Sequence, residues 1–263
     1  MKIEDFFPKE GEKPLETLKE GGGMCSILRT VACIGDSLSS GEHESFEMGE
    51  KGYHDYFDYS WGQFMARDAG ITVHNMSRGG MTAKDFDIFA RENGFFDDKY
   101  KANAYIIALG VNDVSRITAG ELEMGDLSDI DPSEWAHNKP TFAGYYARII
   151  AKFQDASPEA KFFLMTIPDS ETDEKRAALY KKHRELLYDM AKLFKNCYVL
   201  DFYKYAPVYD KKFKEMFFLG GHMNAAGYRL TALMTETYID WIIRNNYQDF
   251  ARVAFMNKRY HNT

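Results

Sequence analysis

Cysteine is scarce, with Cys25, Cys33 and Cys197 the only three in 263 residues. An odd number cannot pair fully within one chain, and the spacing lacks the close doublets of a metal knuckle. A disulfide scaffold is therefore excluded, and a reducing compartment is expected. Long apolar runs are also missing, since nowhere do 18 apolar residues follow one another, so no membrane-spanning helix is expected. The opening stretch MKIEDFFPKEGEKPLETLKEGGG sets charges and prolines where a secretory segment needs unbroken apolar residues. A cytoplasmic location is the expectation. Positive charge is in the minority, 33 Lys and Arg against 40 Asp and Glu, for a net charge of -7. The field of the whole protein thus repels polyanions, which argues against nucleic acid and anionic membrane as partners. Neither a Gly-x-Gly-x-x-Gly run nor a phosphate-loop lysine is present, so a nucleotide site has little support.

What the chain does contain is apolar material for a large core, 45% of its residues. Short β-rich runs at 30–34, 71–74, 104–109, 161–167 and 197–200 alternate with amphipathic stretches at 60–68, 83–91, 142–154, 173–194 and 225–244. Runs that are apolar throughout mark strands covered on both faces, as in a parallel sheet between helices. The alternation predicts an open α/β sheet, and in such sheets ligands bind beyond the carboxyl ends of the strands. The segments 41–59 and 114–140 are expected to be long loops.

Four strand-end or helix-start sites then stand out. The first run ends in Gly35-Asp36-Ser37-Leu38, which sets a serine hydroxyl at the ligand edge. The second is followed by Asn75-Met76-Ser77-Arg78-Gly79-Gly80-Met81-Thr82, whose paired glycines let backbone approach a ligand closely. The third ends in Gly110-Val111-Asn112-Asp113, where a side-chain amide is available as a donor. Near the end, Gly220-Gly221-His222-Met223-Asn224-Ala225-Ala226-Gly227-Tyr228 places a histidine just before a helix. Taken singly, each is accounted for by an N-cap or a turn.

Together, in this order, they resemble the SGNH hydrolases, also called GDSL esterases and lipases, over roughly Thr30 to Tyr228. The resemblance implies a three-layer α/β/α sandwich around a mainly parallel, flavodoxin-like five-stranded sheet. It also implies a carboxylic ester hydrolase that needs no metal or other cofactor, with Ser37 as nucleophile and His222 as general base. The N–H groups of Ser37 and Gly80 and the Asn112 amide would form the oxyanion hole. Residues 29–246 would make up the hydrolase-like domain, 1–28 an N-terminal arm and 247–263 a tail packed on the same domain. One departure matters: the family's aspartate three residues before the histidine is replaced by Leu219. The histidine would then be oriented by a backbone carbonyl in a Ser–His dyad, or by a carboxylate from elsewhere, with Asp210 and Glu215 nearby in sequence.

The expected substrate is a small-molecule ester. An acylated carbohydrate is preferred, because the loops are aromatic and polar and no long apolar segment suggests lipid. A lipase or thioesterase acting on longer acyl chains is the alternative, and a silent ligand-binding member of the fold is a third reading, motivated by Leu219. The sequence leaves the oligomeric state open. His43, Glu44, Glu47, Glu50, His54 and Asp55 match no standard metal spacing and read as a solvated loop. The aromatic run Tyr53 to Trp61 suits a pocket wall or packing onto the sheet equally well. Asp36 and Asp113 are expected to hold loops, Arg78 to be exposed, and His183, among Lys181, Lys182 and Arg184, to lie on a solvated helix face.

Overall fold

A computed structural model describes residues 2–46 and 49–256. Its strands are β1 Thr30–Gly35, β2 Glu42–Ser45, β3 Gly52–Asp55, β4 Thr72–Asn75, β5 Ala104–Ala108, β6 Lys161–Met165, β7 Cys197–Leu200, β8 Phe218–Leu219 and β9 His222–Met223. Five of them form an all-parallel sheet in the order β4-β1-β5-β6-β7, the flavodoxin-like order expected. The apolar continuity of β1 and β5 has a plain cause. Val31, Cys33, Ala104 and Ile106 pack into one core cluster, while Ala32, Ile34, Tyr105 and Ile107 pack into the other. Side chains alternate across a strand, so both faces of the sheet are covered by helices.

The helices are α1 Ser37–Ser40, α2 Trp61–Ala69, α3 Ala83–Glu92, α4 Val111–Thr118, α5 Phe142–Ala156, α6 Glu174–Leu193, α7 Phe202–Tyr205, α8 Lys211–Phe217, α9 Ala225–Asn245 and α10 Tyr247–Phe250. Helices α2 and α9 cover one face with Trp61, Met65, Tyr238 and Ile242, and α3, α5 and α6 cover the other with Phe86, Phe142, Phe153 and Leu187. Local chemistry sets their ends. Ser60, Thr82, Thr141 and Asn224 accept hydrogen bonds from the first-turn N–H groups of α2, α3, α5 and α9, and Gly70 closes α2 in the left-handed conformation. Each such cap contributes about 1 kcal/mol. Among the described residues no helix is long and apolar enough to cross a membrane.

Three expectations are corrected. Segment 41–59 carries the antiparallel hairpin β2–β3, which pairs Glu42 with Asp55 and Glu44 with Tyr53. Segment 114–140 opens inside α4, which starts at Val111 after Gly110, so the Asn112-Asp113 pair lies in a helix rather than a turn. His183 is fully buried, with Nε2 3.1 Å from the Leu109 carbonyl oxygen. It shares the buried stripe of α6 with Tyr180, Leu187 and Met190, and burial pushes its pKa down to about 4. Of the tail, residues 257–263 lie outside the described residues; before them, α10 sets Phe250 against Phe163 and Tyr198. At the other terminus, the Lys19 N–H donates to Thr237, and Arg244 pairs with Glu12.

Candidate active site

A parallel sheet puts the carboxyl ends of all its strands on one edge, and the four sequence blocks meet there. At the end of β1, Asp36 caps α1, its Oδ1 accepting from the Leu38 N–H at 3.0 Å. Ser37 is the first residue of that helix, where backbone N–H groups have no partner within the helix and point outward. After β4, the Arg78 N–H donates to the Gly35 carbonyl at 3.3 Å, fastening the Gly79-Gly80 turn beside the serine block. Gly80 has φ of +72°, which favours glycine. Arg78 is exposed, as expected.

Asn112, in the first turn of α4, joins the blocks. Its Nδ2 donates to the Met81 carbonyl at 3.1 Å and to Asp36 Oδ2 at 3.3 Å. Both amide hydrogens are therefore engaged, and one must be released before the amide can serve an oxyanion. Next to it, Asp113 accepts from the Ala83 N–H at 3.0 Å. Burial pushes the Asp36 carboxyl up to about 6 and that of Asp113 up to about 7. Both carboxylates hold loops, as expected.

His222 begins β9, which pairs back onto β8 through the Gly220-Gly221 turn, and α1 packs against β9. Leu219, in the position of the missing acid, is exposed. Neither Asp210 nor Glu215 takes its place: Asp210 caps α8, and Glu215 pairs with Lys211. The carboxylate comes instead from the hairpin. Glu44 Oε1 lies 2.8 Å from His222 Nδ1 and accepts from the Gly221 N–H at 2.7 Å, while Lys51 Nζ lies 2.9 Å from Oε2. Glu44 is buried, at 2% exposure, which corrects the solvated-loop expectation for this residue. Burial pushes its carboxyl upward, but Lys51, His222 and the Gly221 N–H outweigh that and hold it below the ordinary range.

The other face of the imidazole is also occupied. Glu42 Oε1 lies 3.0 Å from Nε2, so two carboxylates bracket one ring. A strand's period of two explains this, since Glu42 and Glu44 are two apart on β2 and share a face. Burial raises the Glu42 carboxyl above its ordinary range, opposed by His222. Nε2 is thus closed to any other partner unless Glu42 swings aside. Tyr228, in α9, donates through its hydroxyl to the carbonyls of Glu42 at 2.5 Å and Ser37 at 3.4 Å, tying the hairpin to the serine helix. The ring of Tyr53 stands edge-on to His222, with centroids 5.7 Å apart.

The remaining members of the His/Glu/Asp cluster have separate partners. His43 contacts the Gly41 carbonyl, His54 the Ser45 hydroxyl, and Asp55 accepts from Ser40. Glu50 is exposed, and Glu47 lies outside the described residues. Among the described residues, no three His, Cys, Asp or Glu gather into a set that could hold a metal ion.

Several solved structures share this architecture. A protein from Lactobacillus plantarum aligns at TM-score 0.58 and 16% identity over 81% of this chain and 97% of its own. A family two carbohydrate esterase from Clostridium thermocellum, solved with cellohexaose, aligns at TM-score 0.56 and 16% identity over 84% of this chain and 65% of its own. The acetyl xylan esterase AlAXEase aligns at TM-score 0.50 and 18% identity over 78% of this chain and 97% of its own. No curated protein matches. The model of the GDSL-like lipase/acylhydrolase family matches residues 33–230, three quarters of the chain and all four blocks. The chain belongs to the GDSL-like lipase/acylhydrolase family and is a carboxylic ester hydrolase.

Proposed function

We propose that the chain hydrolyses short-chain esters, acylated carbohydrates foremost, through an acyl-enzyme on Ser37. The observation that carries this reading is the convergence of the Ser37, Gly80, Asn112 and His222 blocks at one sheet edge, in a chain of an acylhydrolase family. Serine is a weak nucleophile at neutral pH, so attack needs a base. The Ser37 oxygen bonds to the ester carbonyl carbon as His222 Nε2 takes its proton, and the carbonyl π electrons move onto oxygen. The Ser37 and Gly80 N–H groups and the Asn112 amide hold that oxyanion; one such donor is worth about 10²–10³ in rate. Collapse expels the alcohol, which leaves with the proton from Nε2. Water then attacks the acyl-enzyme with His222 again as base, and the carboxylic acid departs as Ser37 regains its proton.

Two features favour a short acyl group and a polar alcohol. A cavity of about 60 Å³, lined by Asp36, Leu38 and Met223, the sequence neighbours of Ser37 and His222, together with Met165 and Ile167, has room for a few atoms rather than a long chain. An open depression of about 270 Å³ borders Gly79 and Gly80, and Tyr53, Tyr56 and Tyr59 are exposed on or after the hairpin, where aromatic faces suit sugar rings. A fluorophosphonate probe should form one adduct, on Ser37, and p-nitrophenyl acetate should turn over. No adduct and no turnover of short esters would overturn the reading. In a chain-length series, rates should fall beyond butyrate; a rise towards long chains would assign a lipase or thioesterase.

A further inference from the structure

We infer that Glu44 is the positioning residue for His222, the role its relatives give to an aspartate three residues before the histidine. The inference rests on the esterase reading of Ser37 and His222.

The geometry is that of an orienting acid. Nδ1 sits 2.8 Å from Glu44 Oε1, which favours the tautomer with its proton on Nδ1 and leaves Nε2 to receive the serine proton once Glu42 has moved aside. The carboxylate is itself held from two directions, by the Gly221 N–H and by Lys51. Charge-assisted contacts of this kind fix both tautomer and ring plane. The turn before the histidine is shaped to admit it: a Cβ added at Gly220 would collide with Oε2, and one at Gly221 would crowd Oε1. Gly220 also has φ of +71°. The glycine pair thus leaves the volume that the carboxylate fills. Leu219 is turned to solvent, and among the described groups around Nδ1 no other carboxylate competes. The acid has in effect moved from the strand paired with the histidine's own onto a hairpin 178 residues away in sequence.

An acid in this role stabilises the imidazolium formed during attack, and loss of the matching group elsewhere costs about 10⁴ in turnover. Glu44→Gln keeps the shape and removes the charge. We expect its kcat on p-nitrophenyl acetate to fall between about 10² and 10⁴, with KM within about threefold of wild type. Glu44→Asp should recover part of the loss, because the carboxylate returns on a shorter stem. Proton NMR gives a readout independent of turnover. The Nδ1 proton of His222 should resonate far downfield in wild type and in Ser37→Ala, and vanish or move upfield in Glu44→Gln. A Glu44→Gln enzyme within threefold of wild-type kcat, or one with an unmoved resonance, overturns the assignment. If the wild type labels no serine and cleaves no ester, the esterase reading fails on its own, and the resonance comparison still decides whether Glu44 holds His222.

Discussion

In the proposed mechanism Glu42 closes the base that Glu44 orients, and its removal should make the enzyme more active in acid. With Oε1 of Glu42 3.0 Å from Nε2, two lone pairs would face each other unless a proton lies between them. Whichever group holds that proton, Nε2 is unavailable to Ser37. Falling pH protonates Glu42 and closes the contact, and rising pH opens it. The raised Glu42 carboxyl extends the closed form to higher pH than an ordinary glutamate would. A hydrogen bond to a charged partner is worth about 1.5–3 kcal/mol. Both side chains are 15% exposed, so solvent screening argues for the lower end. About 1.4 kcal/mol corresponds to a factor of ten. Glu42→Ala should therefore exceed wild type about tenfold in kcat/KM at around pH 6, and the two should converge near pH 9. The assay is a pH–rate profile on p-nitrophenyl acetate, with chemical stability of the substrate controlled in buffer. Glu42→Gln, whose amide still donates to a neutral Nε2, should lie between them in acid and gain least in base. If Glu42→Ala is slower than wild type at every pH, Glu42 helps substrate binding and the closure argument is wrong.

Asn112→Ala should lower kcat by about 10²–10³ with the fold intact by circular dichroism, since it removes one of the proposed oxyanion donors; a loss in KM alone would place the amide in binding instead. Gly220→Ala should cost nearly as much kcat as Glu44→Gln, and the double variant little more than either, because both displace the same carboxylate; additive losses would separate them. Lys51→Ala should change kcat less than about fivefold, because Lys51 is about half exposed and such pairs contribute about 1 kcal/mol or less. Glu236, buried in α9 near Asp68 and Arg229, has its carboxyl pushed up to about 8 by burial. The folded state therefore binds a proton that the unfolded state releases at lower pH, and stability falls as pH rises from the ordinary glutamate range through about 8. Glu236→Gln should flatten that decline in melting temperature; an unchanged slope would show that the carboxyl does not titrate there.

How far the sequence went depends on whether a signal was local. The five central strands were legible because burial on both faces writes itself as continuous hydrophobicity, and the five long helices because their faces differ. Helix α4 was missed because Asn112-Asp113 is turn chemistry by composition, and only its tertiary partners, Met81, Asp36 and Ala83, keep those side chains at the start of a helix. His183 was legible and misread: it falls three residues after Tyr180 and four before Leu187, on the buried stripe, yet its charged neighbours dominated the local composition. Glu44 left no local trace beside His222.

A pointer to Glu44 nevertheless existed, in two observations that had to be combined. One was Leu219 in the place of an acid; the other was a glycine pair immediately before the histidine, denser than a two-residue hairpin turn requires. A turn stripped of side chains next to an unpartnered imidazole is the imprint of a group arriving from outside. The charged stretch after Ser37 could supply it only if read with a period of two, which puts Glu42 and Glu44 on one face and His43 on the other. The same alternation that delivers an orienting carboxylate to Nδ1 delivers a second one to Nε2. Moving the acid onto a strand thus couples orientation of the proposed base to its closure, and in acid substituting one glutamate should change kcat/KM in the opposite direction from substituting the other.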